Sequence, residues 1–439
     1  MNKKITALIL SSIMFLQVGI TPEIYAVGNS TINQSNKNIP STFIDKIKNH
    51  GPEITAGIAV GAVTIGAITL ALLNKSNSIP FTSEEDLPHI AKEYSNYLNS
   101  DNKSDEYNGE KLSLDELKQF RDKLVKILKK EPNVPEIEGP AIVVGDIHGN
   151  FEATNAIIKK FEDERLKNSN LSIVFLGDYI DRGPNNVDTL ALLFNLKLKY
   201  PKNVHLICGN HEYIECGSSR ENSLLKECKD KYPKWEQGKE NRLKCVTRKQ
   251  IFQQIFDNLP KAVIINEKIF CTHGGVPFEN PNLDNPDCKP ALLETIKNTS
   301  RGTHYGENSI NEQLVNNRLP TYKRLDCEET KEISSAYGLG YWIYTPKAVN
   351  NFLTNNTLNI FIHGHDHEIA AKNNGAHIIK IESGEIITLL SDPDFIKKHY
   401  GSNPGSFNHN GAFISIDNEN NFTIYDIDSN NDITMRLSE

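Results

Sequence analysis

The sequence predicts an α/β fold in which two sheets pack face to face with helices outside. Three observations predict it. Five short apolar, β-branched runs, Ala141 to Val144, Ile173 to Leu176, Val204 to Ile207, Ile269 to Cys271 and Ile360 to Ile362, lead into a Gly beside Asp, Asn or His, and read as buried strands. Between the first three runs, Phe151 to Phe161 and Val187 to Leu198 supply helices, which favours parallel strands and right-handed crossovers. After His365 the chain turns to β in four runs, Ala376 to Ile381, Glu385 to Leu390, Gly411 to Ile416 and Phe422 to Ile427, the last two flanking the hairpin loop Asp417 to Asn421.

Ahead of that fold stands an N-terminal targeting or membrane region. Residues 1–28 carry Lys3-Lys4 and then the apolar run Ile5 to Ile20, the form of a signal peptide or first membrane segment. Residues 29–53 are a polar linker rich in Asn, Ser and Lys. Residues 54–73 run for a bilayer's length without a charge and read as a transmembrane helix, with Gly57 and Gly61 on one face. Cleaved or not, a first segment followed by this span returns the catalytic domain to the cytoplasmic side; without the span the domain is exported. Lys37, Lys46 and Lys48 between the segments mildly oppose the first topology.

Residues 74–110 are a polar spacer with a short helix near Leu87 to Leu98, and the catalytic domain is placed at 111–430. It opens with a helix. Ser113-Leu114-Asp115-Glu116 is a capping box, and Leu114, Leu117, Phe120, Leu124 and Ile127 form a stripe expected to pack on the outside of the sheet. The Pro132 to Pro140 segment ends that helix and leads into the first catalytic strand. Residues 213–250 read as charged and helical, and 276–336, the least patterned stretch, is the expected place for substrate selection or a lid.

The strand ends carry the chemistry. Asp146, His148, Asp178, Asn210, His273 and His365 are oxygen or imidazole donors with no thiolate among them, which suits Mn, Fe or Zn. One such residue is ordinarily a turn or a satisfied polar group; a succession of five Gly-flanked strand ends is not. Six donors exceed what one catalytic ion with an open position accepts. They fit two divalent ions about 3.5 to 4 Å apart, the arrangement used to hydrolyse phosphate esters, with Asp178 as the shared carboxylate. His367 is read as an ordinary surface histidine, with a spare ligand as the alternative.

Gly145-Asp146-Ile147-His148-Gly149, Gly177-Asp178-Tyr179-Ile180-Asp181-Arg182-Gly183 and Gly209-Asn210-His211-Glu212 resemble the three signature blocks of the phosphoprotein phosphatases, the metal-dependent Ser/Thr protein phosphatases. The resemblance continues through Asn258-Leu259-Pro260-Lys261-Ala262 and Glu267 to Gly275 and covers roughly residues 111 to 396. It implies the calcineurin-like metallophosphoesterase β-sandwich. It also implies that Asp146, His148 and Asp178 hold one ion, that Asp178, Asn210, His273 and His365 hold or flank the other, that His211 is the general acid paired with Asp181, and that Arg182, with Asn210, holds the phosphate. In such a site a water shared by two divalent ions is deprotonated near neutral pH and attacks phosphorus in line. A proton from His211 then neutralises the leaving seryl or threonyl alkoxide.

The sequence departs from that pattern. Cys208 stands where the family has Arg before Gly-Asn-His-Glu, and His363 where it has Arg before the last metal histidine. The second phosphate arginine aligns with Tyr337, which carries no charge. A lost charged hydrogen bond of about 1.5 to 3 kcal/mol predicts a rate lower by about ten- to hundred-fold unless another cation substitutes. Arg301, Arg318 and Arg324 are the nearest candidates.

The net charge of -8 argues against a nucleic-acid partner, and the implied substrate is a phosphoprotein. Seven cysteines, an odd number, show no paired metal spacing and fit a reduced, intracellular setting, with Cys208 and Cys271 as buried thiols. Three alternatives to a membrane-associated Ser/Thr phosphatase stay open: a phosphotyrosine-active enzyme, a small-molecule phosphoesterase resembling dinucleoside polyphosphate hydrolases, and an inactive membrane-tethered binding protein.

Overall fold

Two six-stranded sheets form the body of the protein. The computed structural model describes residues 114–213, 222–231, 250–279, 289–302, 309–319, 333–335, 342–395 and 410–437. All lie in the second of the two units into which the chain divides, Phe81–Glu439. The expected signal segment, linker, span and spacer fall outside the described residues, as do Tyr337 and Arg324. Among the described residues no helix is long and apolar enough to cross a membrane.

In chain order the elements are α1 (Leu114–Leu128), β1 (Glu136–Ile137), β2 (Ala141–Val144), α2 (Phe151–Arg165), β3 (Ser172–Phe175), α3 (Asn186–Lys199), β4 (Val204–Leu206) and α4 (Leu224–Lys231). There follow β5 (Ala262–Ile265), β6 (Ile269–Thr272), β7 (Phe278–Glu279), β8 (Lys289–Pro290), α5 (Leu293–Lys297), α6 (Ile310–Asn316), β9 (Ile333–Ser335) and β10 (Trp342–Tyr344). The last part comprises α7 (Pro346–Asn355), β11 (Ile360–His363), α8 (His367–Ala371), β12 (Ala376–Ile381), β13 (Gly384–Leu389), β14 (Gly411–Ile416), β15 (Phe422–Ile427) and β16 (Ile433–Met435).

One sheet runs β16-β15-β14-β2-β3-β4, and the other β1-β5-β6-β11-β13-β12. Strands β2, β3 and β4 pair in parallel, as the intervening helices require. The chain then closes on itself, because β14 returns antiparallel to β2 with Ile416 opposite Ala141. The final strand β16 pairs with β15, so the sheet continues past residue 430.

Period-two alternation explains how the sheets meet. Val143, Val174 and Ile414 from one sheet share a buried cluster with Val263, Cys271, Ile362 and Ile387 from the other. The neighbouring positions Ile264, Phe270, Phe361 and Ile386 point to the opposite face, where they are covered by Val349, Phe352 and Leu353 of α7. Each such side chain contributes about 1.5 to 3 kcal/mol by leaving water. Helix α1 departs from expectation. Its stripe packs on a helix rather than on the sheet, with the Phe120 ring 6.1 Å from that of Phe194 on α3.

Asn150 caps α2 by accepting from the Ala153 amide, and Thr345 caps α7 by accepting from Ala348, with Pro346 in the first turn. Arg301 is fully used by the scaffold. Its guanidinium donates to the carbonyls of Leu128, Asn258, Glu131 and Pro132, which removes it as a phosphate cation.

Strand β4 carries a buried histidine, His205. Burial, reinforced by the Lys197 ammonium, holds its pKa down at about 3 against an ordinary 6.5. The unfolded chain takes up a proton below 6.5 while the folded one does not, so stability falls as pH drops from 6.5 toward 3. At pH 5 the penalty is about 2 kcal/mol. Urea unfolding of His205→Leu is expected to lose about that much less than the parent between pH 7 and pH 5.

Candidate metal centre

The carboxyl ends of the strands converge where the two sheets meet, and they place every expected metal-binding side chain together. Asp146 follows β2 and is tied to the second sheet by a bridge to Leu390. The backbone amide of His365, after β11, points at both Asp146 oxygens at 3.2 and 3.1 Å. Asp178 follows β3. Its Oδ1 accepts from the His211 amide at 3.0 Å and lies 3.3 Å from His273 Nε2, while its Oδ2 lies 3.6 Å from His148 Nε2.

These loops interlock because glycines let them. A Cβ on Gly209 would sit 2.3 Å from the Asp178 amide nitrogen, and one on Gly364 would sit 2.1 Å from Asp146 Oδ1. Glu212 completes the lacing, its carboxylate accepting from the amides of Asp178, Tyr179 and Gly209 at 2.8, 2.9 and 2.8 Å. His148, Asp178, Asp181, Arg182 and His365 all have left-handed backbone, with φ between 43° and 70°. Non-glycine residues rarely adopt it, and such strain gathers at functional sites.

Two donor groups emerge. Asp146, His148, Asp178 and His367 bring one ligand atom each within 4.8 Å of one another, and Asp178, His273 and His365 do the same. Two donors on a common ion at about 2.0 to 2.2 Å each lie no more than about 4.4 Å apart, so both spacings are close to what an ion would gather. Asp178 belongs to both groups, the position of a bridging carboxylate. Asn210 joins the second. Its carboxamide oxygen lies 3.0 Å from His273 Nε2 and faces acceptor atoms, an arrangement that a cation reconciles. Turned over, its NH2 would reach His365 Nδ1 at 3.1 Å. The residues therefore have the donor chemistry, oxygen and imidazole nitrogen, of a divalent-cation site, with two groups that could each hold an ion.

His367 is not a surface histidine. Its Nε2 lies 2.5 Å from Asp146 Oδ2 and 3.2 Å from His148 Nε2. Its ring stacks on Phe395 with centroids 4.4 Å apart. The ring enters the site because α8 begins at His367, directly after the left-handed turn at His365. The signal in the sequence was its two-residue spacing from His365. Phe395, buried beneath Arg182 with the guanidinium carbon 5.2 Å from the ring centroid, carried no such signal.

Two guanidinium groups flank the cluster. Arg182 reaches His367 Nδ1 at 3.1 Å and His211 Nε2 at 3.3 Å, and Arg318 reaches His365 Nε2 at 2.6 Å. The backbone of Arg318 is held on both sides by β10, donating to Trp342 and accepting from Tyr344, and the next amide, Leu319, donates to Asp366 Oδ2 at 2.8 Å. His211 Nδ1 pairs with Asp181 Oδ2 at 2.8 Å, deeply buried. His363, beside the cluster, spends its Nε2 on the Thr388 hydroxyl at 2.9 Å.

The fold and its donor set match a known family. The family model for calcineurin-like phosphoesterases covers residues 139–368. The chain belongs to that family. It carries the signature blocks of the phosphoprotein phosphatases within it. A probable serine/threonine-protein phosphatase of Encephalitozoon cuniculi (strain GB-M1) is 29% identical to this phosphoesterase over 275 residues, 62% of this chain and 50% of that protein. The phosphoesterase thus spans about half the length of that relative. A solved serine/threonine phosphatase from Saccharomyces cerevisiae, described as similar to human phosphatase PP5, superposes with a TM-score of 0.53 at 21% identity, covering 75% of this chain and 92% of that one. That likeness confirms the two-sheet fold.

Electrostatics in the cluster point the same way. Burial pushes the Asp146 carboxyl up to about 8. Burial alone would lower His273, but the Asp178 and Asp146 carboxylates outweigh it and raise the imidazole to about 9. Below pH 8 both groups hold protons that a cation must displace, so metal affinity rises with pH through 8 to 9. Titration calorimetry of Mn²⁺ into chelator-treated protein, in buffers of different ionisation enthalpy, is expected to show more protons released per cation near pH 7 than above pH 9.5.

Proposed function

We propose that this chain is a binuclear metal-dependent phosphomonoester hydrolase acting on phosphoserine and phosphothreonine in proteins. The observation that carries the reading is the pair of donor groups sharing Asp178, with Arg182 beside one, Arg318 beside the other and the His211–Asp181 pair at the rim. The relative from Encephalitozoon supports it as a probable serine/threonine-protein phosphatase by name.

Bound divalent cations, Mn²⁺ by preference with Fe or Zn as alternatives, would supply a nucleophilic hydroxide at neutral pH and Lewis acidity toward phosphorus. Asp146, His148, Asp178 and His367 would hold one, and Asp178, Asn210, His273 and His365 the other. The remaining steps belong to side chains. Arg182 and Arg318 orient the phosphoryl oxygens by charge-assisted hydrogen bonds, about twice as strong as neutral ones. Asn210 contributes its amide on the same side. His211, fixed by Asp181, gives a proton to the departing seryl or threonyl oxygen, which is a poor leaving group without it. Arg318 answers the missing charge at Tyr337: the second phosphate cation comes from the strand-like segment before β10.

The architecture extends the proposal to location. A span at 54–73 would tether the catalytic domain to a membrane and place it on the cytoplasmic side, close to phosphoproteins of that surface.

Hydrolysis of p-nitrophenyl phosphate and of phosphoserine, phosphothreonine and phosphotyrosine peptides, with and without Mn²⁺, tests the activity. Asp178→Asn is expected to abolish turnover of all four. His211→Ala should slow the phosphoserine peptide by about 10²- to 10⁴-fold. Arg318→Ala should cost about ten- to hundred-fold on every substrate. Preference for the phosphotyrosine peptide, or full activity in Arg318→Ala, would overturn the corresponding assignment.

A further inference from the structure

Glu227 lies on α4, outside the strand-end loops and in neither donor group, yet its carboxylate is buried. Its Oε2 accepts from the backbone amide of Asn186 at 2.5 Å and from the Asn186 side-chain amide at 2.8 Å, and its Oε1 accepts from the Val187 amide at 3.2 Å. Asn186 and Val187 are the first two residues of α3. The residue before them, Asn185, makes no side-chain cap bond, so a carboxylate from another helix satisfies the exposed amides of α3.

Asn186 passes that anchorage on. With its NH2 committed to Glu227, Gly183 and Asn222, its oxygen is left facing the Asp181 amide, from which it accepts at 2.5 Å. Asp181 has φ 67° and Arg182 φ 70°, a conformation that persists only when its surroundings determine it. Helix α4 grips the same aspartate a second time, through the Leu224 amide on Asp181 Oδ1 at 2.9 Å. Oδ2 is thereby left for His211 Nδ1. One helix therefore fixes both the backbone and the carboxylate orientation of the residue that orients His211.

We propose that Glu227 is a positioning residue for proton delivery, acting through Asn186 and Asp181 on His211. The inference rests on the general-acid reading of His211 given above. A carboxylate is needed because three N–H donors converge on Glu227. A glutamine presents one oxygen to them and turns an NH2 against the rest. Loss of the anchor loosens the left-handed turn and lets Asp181 rotate away from the imidazole.

The test compares Glu227→Gln and Glu227→Asp with the parent and with His211→Asn, in the Mn²⁺-loaded full chain, on aryl phosphates spanning phenyl to 2,4-dinitrophenyl. A departing dinitrophenolate needs no proton and a departing phenolate does. His211→Asn should lose far more on phenyl than on dinitrophenyl phosphate. Glu227→Gln should show the same slope, with about ten-fold lost on phenyl phosphate and less than about two-fold on the dinitrophenyl ester. It should add no further loss in the His211→Asn background. The metal-free melting curve reports folding independently. Equal losses on both esters, a multiplicative loss in the double variant, or no loss in Glu227→Gln while His211→Asn shows the slope, would overturn the positioning role alone. Absence of the slope in His211→Asn itself would overturn the general-acid reading and this inference with it. If Glu227→Gln does not fold, the same outcomes are read from Glu227→Asp, whose shortened carboxylate keeps the charge but withdraws from Asn186.

Discussion

Two carboxylates without any solvent exposure, Asp146 and Asp178, set the terms for the rest of the molecule. Burying a charge costs several kcal/mol unless it is compensated. Burial is outweighed at Asp178 by the surrounding imidazoles. At Asp146 burial prevails over amides, imidazole and guanidinium drawn from distant parts of the chain, and the carboxyl keeps its proton up to about 8. The amides of His365 and His211 point at these carboxylates. The arrangement leaves lone pairs of several donors directed at common points, a geometry that bound cations would satisfy. The interlocked glycines and the strained turns follow from the need to bring those amides and side chains so close.

The two-sheet fold was legible in the sequence because both its periodicities are strong. Apolar, β-branched runs marked nine of the strands within a residue or two, and the Gly-flanked strand ends marked most of the residues that gather in the two donor groups. What escaped has physical reasons. Strand β5 lies directly after Pro260-Lys261 and was absorbed into a motif. Strands β1 and β16 are two and three residues long, too short for a period to register. The stripe on α1 revealed that it was buried but not against what, since helix and sheet faces want the same apolar side chains.

The site shows the same division. Candidate donors that close a strand-like run were legible from the run. Groups that arrive by tertiary packing were not separable from solvated residues: Arg301 and Arg318 looked alike in the sequence, yet one is spent on four backbone carbonyls and the other stands at His365. His367 stands two residues beyond a histidine that already completes the motif, so apart from that spacing the sequence carries no separate signal for its ring. Glu227 sits in a stretch legible as helical, but its role is not, because that depends on where α4 lands against the start of α3.

The pairing of β14 with β2 bears on how the protein comes into being. The strand that leads into Asp146 is flanked on one side by β3, made soon after it, and on the other by β14, made much later. During synthesis the first three ligand loops can form while one edge of their sheet is bare, and the histidines at 273, 365 and 367 are still to come. Long-range closure of this kind slows folding and exposes an unpaired edge in the meantime. A nascent chain therefore brings the full donor set together only after the segments carrying His273, His365, His367 and β14 have left the ribosome, so the site is a product of the closed fold rather than a nucleus for it.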